Sequence, residues 1–577
     1  EESASLVRTI RITNLSADGC TATVFHFGDW NMGGIRTGNG VYYDHQLRAL
    51  VQSGRDVTAV IGGDALETWQ CGKAGTNWDN NAIYDLEDGV LACQDLEIGD
   101  VNWAFGFKIH LKPHEQVQRT ALFTLGGTVG EARAAWLAAA ATSSEKHLQG
   151  CKERDAAWLA PAMQTLQRTL GPSGPSRRTT QPSRNTPSLP PDILAAYKRS
   201  ILCLPLLCGP EGGAVAAPEF DTEFISCGGY GYLWPRDGGE YVSGLMDAGY
   251  GAFSGQFFDW CARHQDPSGL WHQRYFLNGQ PGPNWCLPPD MLQIDQVGAV
   301  LWAYGKWTDW KRSEGGAEDR AAGEAAARTE AHHTMVRKAA DYLLSRLTGR
   351  GVHANAFDTW ESFIGSFTYS NAALYAAFRT AAAVLGEPQY EAAAKRVKDG
   401  VLEHFVLDGS LRRGFDGAGQ PDWKIDSSAL GAIEPFGLLD LHDENDLALA
   451  EGTLQAISQQ LEVDWEGGRA IRRFEGDSYV GGVPACVNTL WMARCCCRVA
   501  DRLHELDRRR EARDLTERAS IYLSTVLRRT TPTGLLPELM QGPTGQRYWA
   551  APHGWAMASF VSGALMLARR LAVDGGG

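Results

Sequence analysis

The chain has 577 residues, 44% of them hydrophobic and 21% charged, so it can bury a large core and is not intrinsically disordered. Its 54 basic and 68 acidic residues leave a net charge of -14, which argues against a nucleic-acid binder, where a clustered basic excess is required. No run of 18 apolar residues exists; the best candidate, near Phe560–Val573, is broken by Arg569 and Arg570, so no membrane insertion is expected.

Residues 1–130 read as an all-β domain, a sandwich. Val7–Thr13, Ala22–His26, Val57–Ile61 and Phe105–Leu111 mix β-branched and apolar residues between glycine-marked turns. From Gly130 the texture becomes Ala-rich helix, over Glu131–Ala141 and Asp155–Leu170. Gly171–Pro191, rich in Pro, Ser, Arg and Thr, has little to bury and reads as a flexible linker, so 131–191 is treated as connecting sequence.

After Pro191, apolar residues recur at helical spacing in about twelve segments. They lie near 192–207, 237–248, 251–264, 293–310, 330–347, 367–385, 388–405, 427–437, 445–462, 484–503, 508–527 and 552–572. Long Gly-, Pro- and aromatic-rich connections follow the odd-numbered segments, whereas the alternate ones, such as Gly386-Glu387, are mostly short. Antiparallel neighbours put alternate connections at opposite ends, so the elaborate ones share one end. That pattern predicts a mainly α fold over 192–577, an (α/α)6 barrel with one functional mouth. Lys311–Arg328, a long connection of the wrong parity, reads as a solvated excursion.

Four of the long connections carry polar and aromatic residues together. The first holds Gly228-Gly229-Tyr230-Gly231-Tyr232-Leu233-Trp234-Pro235-Arg236-Asp237. Adjacent Arg and Asp offer a donor fork beside an acceptor pair, suited to neighbouring hydroxyls on one sugar, although Asp near a helix start is an equally good reading. The second holds Phe357-Asp358-Thr359-Trp360-Glu361-Ser362, and the third Arg472-Arg473-Phe474-Glu475-Gly476-Asp477-Ser478-Tyr479. The fourth holds Gly534-Leu535-Leu536-Pro537-Glu538 and then Pro552-His553-Gly554-Trp555. Each glutamate taken alone is more simply a loop charge or helix cap. The 19 Trp and 17 Tyr supply flat faces on which sugars stack, though most aromatics in a large protein are core.

Together these segments resemble glycoside hydrolase family 15, the glucoamylase family, over the whole chain after Pro191. Tyr-Leu-Trp-Pro-Arg-Asp and Trp-Glu followed by Gly365, Phe367 and Thr368 are the specific motifs, and the preceding β domain resembles the prokaryotic branch, whose longer sandwich implies that this chain begins inside it. The resemblance implies Glu361 as general acid and Glu538 as general base. It implies Arg236, Asp237 and Arg473 as grips on the terminal glucose, Tyr230 beside the catalytic water, and Trp234, Trp360 and Trp555 as pocket walls. Gln293-Ile294-Asp295 fits with lower specificity. Leu539, Ser362 and Ala485 depart from the family pattern, which puts substrate choice in question and not the reaction.

Such an enzyme is expected to be an inverting, exo-acting α-glucosidase. One carboxyl group is protonated, the other ionised, and water stands between them. Ser362 in place of a second carboxylate suggests short α-1,6-linked substrates such as isomaltose, with α-1,4 glucoamylase, trehalase, phosphorylase and non-catalytic sugar binding as alternatives. The 13 cysteines, three of them consecutive (Cys495–Cys497), and the lack of a recognisable signal peptide suggest a cytoplasmic protein with buried free thiols. No cofactor, metal, nucleic acid or membrane partner is expected, only a small oligosaccharide.

Overall fold

The computed structural model describes residues 4–34, 37–64, 66–75, 80–171, 188–218, 229–283, 292–313, 322–542 and 548–575. Most of the expected linker, the centre of the Lys311–Arg328 excursion and Gly228 lie outside these residues. The chain divides into two compact units, Glu1–Ala157 and Trp158–Gly577, so the division falls inside the sequence expected to connect them.

The described residues of the first unit hold nine strands, all paired antiparallel. They are β1 (Ala4–Thr13), β2 (Cys20–Gly28), β3 (Asn39–Asp44), β4 (Ala49–Ser53), β5 (Thr58–Gly63), β6 (Thr68–Lys73), β7 (Leu96–Gly99), β8 (Val101–Leu111) and β9 (Gln116–Gly126). One sheet runs β1-β9-β5-β4-β3-β7 and the other β2-β8-β6. One apolar cluster draws Val41, Leu50, Ile61 and Ala121 from the first sheet and Cys71, Trp103 and Phe105 from the second. Four of the nine strands were expected. Several others escape because polar side chains inside them interrupt the apolar pattern: Gln52 on β4 is buried, giving its amide N–H to Trp30 O at 2.8 Å and taking the Trp103 indole N–H at 3.1 Å.

Helix α1 (Ala82–Asp85) is a single turn. Helix α2 (Val129–Ala140) begins in a capping box, Thr128 accepting from the Glu131 amide while Glu131 reaches back to the Thr128 amide. Its Trp136 packs on Ala49, Val51, Val60 and Leu122. Helix α3 (Ser144–Leu170) starts eleven residues earlier than the sequence suggested, and its last turns, with Ala162 and Leu166, belong to the core of the second unit.

Among the described residues of the second unit eleven α-helices follow. These are α4 (Pro191–Cys203), α5 (Pro235–Asp247), α6 (Gly251–His264), α7 (Ile294–Ser313), α8 (Ala322–Ser345) and α9 (Thr368–Leu385). Then come α10 (Pro388–His404), α11 (Glu444–Leu461), α12 (Cys486–Glu505), α13 (Arg509–Leu527) and α14 (Gly554–Gly575). The segment expected as a helix over 427–437 is instead a 3-10 turn, Ser427–Ala432. Gly431 there is pressed against the Tyr369 ring, and Pro435, which has no N–H, cannot extend an α-helical ladder.

The packing order is regular. Helix α5 packs on α7 and α14, α7 on α9, α9 on the 3-10 turn, and α12 on that turn and on α14. These inner elements approach through small residues. A Cβ on Gly244 of α5 would meet Ala558 O of α14 at 2.6 Å, and one on Gly298 of α7 would meet Ala373 C of α9 at 2.7 Å.

Helix α14 deserves the membrane question, since by length and composition alone Gly554–Asp574 is apolar enough to cross a bilayer, with a hydropathy of 1.4. Yet 72% of that stretch is buried inside the protein, and its Arg570 is buried and paired with Asp501 at 3.2 Å and Asp574 at 2.7 Å. It is a core helix. All eleven described cysteines are free; Cys486 and Cys495–Cys497 pack inside α12, while Cys20 and Cys151 are exposed.

Candidate active site

All nine residues singled out from the sequence line one cavity of about 440 Å³ in the second unit: Tyr230, Trp234, Arg236, Asp237, Trp360, Glu361, Arg473, Glu538 and Trp555. Thr359, Ser362, Tyr479 and His553 complete its wall. The lining comes from the connections that enter α5, α9, α12 and α14 and from the first turns of α5 and α14.

Helix α5 starts at Pro235, the favoured first position for a residue with no N–H to bond, so Arg236 and Asp237 occupy the first turn. Both readings of that pair are therefore true: it opens a helix and faces the cavity. The guanidinium is buried, 4% exposed, between Asp237 (Nη2 to Oδ1 3.1 Å) and Asp295 (Nη1 to Oδ2 3.2 Å). It lies over the Trp555 ring at 5.1 Å. Burial raises the Asp237 carboxyl to about 6 against the opposing pull of Arg236.

Glu361 is held at a positive φ of 58°, uncommon for a side chain of its kind. The turn that enforces it is built by Asp358, whose Oδ1 accepts the amides of Ser362 at 2.8 Å and Phe363 at 2.9 Å. Glu361 Oε1 accepts the Trp234 indole N–H at 2.8 Å. The indole beside it in sequence, Trp360, points its N–H elsewhere, to Asp426 Oδ1 at 3.0 Å. Burial pushes the Glu361 carboxyl up, countered by hydrogen bonding from Gln273, the charge of Arg236 and the Trp234 N–H.

Glu538 follows Pro537, and its amide bonds Trp549 O at 3.0 Å. Its side chain ends a line of donors that all point the same way. Trp549 Nε1 donates to Tyr479 OH at 3.1 Å, the two tyrosine oxygens are 3.2 Å apart, and the Tyr230 hydroxyl donates to Glu538 Oε2. With the Tyr230 proton committed to the carboxylate, Tyr479 is the donor between the tyrosines. Such a line favours the ionised carboxylate. Burial nevertheless lifts Glu538 to about 7; Tyr230 and the charge of Arg473 pull it down, while the charges of Asp237 and Glu361 push it up. The two glutamates thus share one electrostatic environment, in which the pair retains a proton more readily than either would in water.

Arg473 is fixed by a two-point bond to Asp477, 2.8 Å from Nε and 2.7 Å from Nη2, and lies over Tyr479 at 4.5 Å. Sequence reasoning quoted Asp477, Tyr479 and His553 inside motifs without assigning them a part. The i, i+4 spacing of Arg473 and Asp477 was a usable signal. Tyr479 and His553 had none, because only the fold brings them to Tyr230. Asp426, which orients Trp360, was likewise illegible.

Ser362 is exposed at the cavity and turns its hydroxyl back to Trp360 O at 3.1 Å. Ala485 and Leu539, the other departures, lie buried together with Ala217, Trp549 and Ala550 in a small apolar cluster that includes partly buried Tyr230 at its margin.

No protein-family model matches the chain. Among curated proteins it is 30% identical over 378 residues to an uncharacterized glycosyl hydrolase of Methanocaldococcus jannaschii; the match covers 64% of this chain but 55% of that protein. Among solved structures, a bacterial glucoamylase complexed with acarbose superposes with a TM-score of 0.70 at 13% identity, over 98% of this chain and 82% of the other. A glucoamylase from Saccharomycopsis fibuligera gives 0.51 at 17% identity, over 67% of this chain and 95% of the other. The chain therefore has the glucoamylase fold, and its sequence is related to that of a glycosyl hydrolase.

Proposed function

We propose that the protein is a glucoamylase-type glycoside hydrolase, an inverting α-glucosidase that removes glucose from the non-reducing end of short α-glucosides. The observation that carries this is the convergence of two half-buried carboxyl groups, Glu361 and Glu538, with the Arg236–Asp237 and Arg473–Asp477 pairs around one cavity. The fold of the glucoamylases and the related glycosyl hydrolase support it. In the same reading α5, α7, α9, the Ser427–Ala432 turn, α12 and α14 close as the inner ring of an (α/α)6 barrel, and the two N-terminal sheets form a sandwich.

In this mechanism Glu361 donates its proton to the glycosidic oxygen as the bond to the anomeric carbon breaks. Glu538, held by the tyrosine line, takes a proton from a water that attacks that carbon from the opposite face, giving inverted glucose. Arg236 and Arg473 are rigidly held by carboxylates, so they position sugar hydroxyls without reorganising. Burial serves the acid by raising its carboxyl above the usual range, which favours the protonated form.

We further propose a preference for α-1,6 bonds. Ser362 presents a short, neutral group whose hydroxyl is already turned inward, leaving room on the leaving-sugar side for a differently angled ring. A contact of that kind changes kcat/KM by about 10–200-fold. Glucose release from isomaltose, maltose, trehalose and longer glucans tests both claims. Isomaltose is expected to give the highest kcat/KM; if maltose or soluble starch wins, the linkage claim fails alone. Release that depends on inorganic phosphate would make the protein a phosphorylase, and no release from any α-glucoside would remove the hydrolase reading. Proton NMR of the first product is expected to show β-glucose.

A further inference from the structure

His553 lines the cavity, yet nothing in the proposed chemistry uses it. The residue directly precedes α14 and is 2% exposed. Its backbone N–H donates to Leu536 O at 2.8 Å, and its ring Nδ1 accepts the Ala556 N–H at 3.4 Å. An imidazole is thus doing what a Ser or Asn usually does, capping the N-terminus of a helix.

That bond decides the tautomer. A ring nitrogen that accepts a hydrogen bond carries no proton, so the single proton of the neutral ring sits on Nε2. Among the described residues Nε2 makes no hydrogen bond, and the ring stands edge-on to Tyr230, 5.9 Å between centroids. Burial, helped by the charge of Arg236, lowers the imidazole to about 3, so the ring is neutral across the working range. The positive end of α14 acts in the same direction.

Most side-chain donors around it are already engaged. Trp234 serves Glu361, Trp360 serves Asp426, Tyr230 serves Glu538, and Arg236 and Arg473 are tied to aspartates. An N–H that faces the cavity with no protein acceptor is left to water or to a bound sugar, so a ligand hydroxyl that supplies a lone pair there can take its place.

We propose that His553 is a specificity-determining residue: its Nε2–H donates to a hydroxyl oxygen of the glucosyl ring held beside Arg236, Asp237 and Trp555. The inference rests on the glucoside reading of this cavity and adds the residue that checks one hydroxyl of that ring.

The test is a cycle between His553 variants and monodeoxy substrates. His553→Asn keeps an oxygen that can cap α14, but its shorter amide N–H stops short of the place of Nε2, and His553→Leu removes both cap and donor. Both variants are expected to lose roughly 10–100-fold in kcat/KM on the best α-glucoside, with His553→Asn unfolding at nearly the wild-type temperature. Among monodeoxy α-glucosides, one is expected to be poor for the wild type yet no poorer for the variants than the parent sugar, because substrate and protein then lack the two halves of one bond. Losses that simply add for every deoxy position, or unchanged kcat/KM, would overturn the inference.

The same cycle, run calorimetrically as binding of D-glucose and its monodeoxy forms, needs no turnover. Coupled losses there with no hydrolysis of any α-glucoside would sink the hydrolase reading alone. Additive losses with normal hydrolysis would sink the His553 inference alone, and absence of glucose binding would also overturn it.

Discussion

At the scale of single residues, the cavity separates two glutamates by what donates to them. Glu361 has an indole N–H on one oxygen, and Glu538 has a tyrosine hydroxyl at the end of a donor line. Removing either carboxyl's acid–base capacity is expected to cost about 10²–10⁴-fold in kcat while leaving the thermal transition in place, for Glu361→Gln and Glu538→Gln alike. Steady-state rates on isomaltose check this, and near-normal kcat in one variant would strip that residue of its role. Tyr230→Phe gives a more discriminating outcome. The Tyr230 bond lowers Glu538 from the height to which burial lifts it, about 7 with the bond in place. Losing it raises the pH at which the base becomes ionised. The rising limb of kcat/KM against pH is expected to move upward by about one unit, the equivalent of a hydrogen bond to a charged group. An unmoved limb would mean that Tyr230 does not govern the base.

At the scale of elements, the sequence carried the helices well because their apolar periodicity is long and their boundaries are marked. Pro235 and Pro388 sit at first helical positions, and Gly386, at a φ of 72°, ends α9. The eighth segment misled because its apolar spacing is real, but Pro435 and the close approach of Gly431 to Tyr369 deny it an α-helical path. The shorter strands were harder: β3 and β6 are six residues each, and buried polar side chains such as Gln52 and Gln70 erase the alternation that would reveal a strand. Nothing in the sequence announced how closely the inner helices touch. Gly244 leaves no room for a methyl group against the Ala558 backbone, so Gly244→Ala trades a helix-propensity gain of about 1 kcal/mol for a clash that α5 and α14 must separate to relieve. A lower melting temperature is expected, since overpacking of this kind costs roughly 1–3 kcal/mol and the contact is backbone. A melting temperature at or above that of the wild type would show that the two helices can part freely.

At the scale of the molecule, the site was legible where local motifs carried it and illegible where distant segments meet. Arg236, Glu361 and Glu538 each stand in a recognisable stretch, whereas the Trp549–Tyr479–Tyr230 line joins residues more than 300 positions apart. Gathering so many carboxyl groups into one core has a consequence for stability. Burial raises Asp237 to about 6 and Asp358 and Glu538 to about 7, and also raises Glu240, Asp295 and Glu361. Each of these groups binds its proton more tightly in the folded second unit than in the unfolded chain, so its stabilising contribution is complete below the unfolded value near 4 and is lost as pH rises through the folded value. Two buried histidines act oppositely: His353, lowered to about 4, and His553, lowered to about 3, favour folding as pH rises towards 6.5. Asp237, Asp358 and Glu538 keep their protons in the folded state between about pH 4 and 7, so these three groups give a negative slope there, which the two histidines oppose below 6.5. Asp358 isolates the effect, because Asp358→Asn keeps the oxygen that accepts the Ser362 and Phe363 amides and removes the charge. A shift from 3.8 to about 7 corresponds to roughly 4 kcal/mol of pH-dependent stability at one buried site. Denaturant unfolding of the full chain at pH 5 and pH 8 is therefore expected to show a smaller difference for Asp358→Asn than for the wild type, by up to about 3 kcal/mol, the share of that effect that falls above pH 5, with the variant gaining at pH 8. An identical difference in the two proteins would mean that Asp358 is charged in the folded state at neutral pH, and that the turn carrying Glu361 holds a carboxylate.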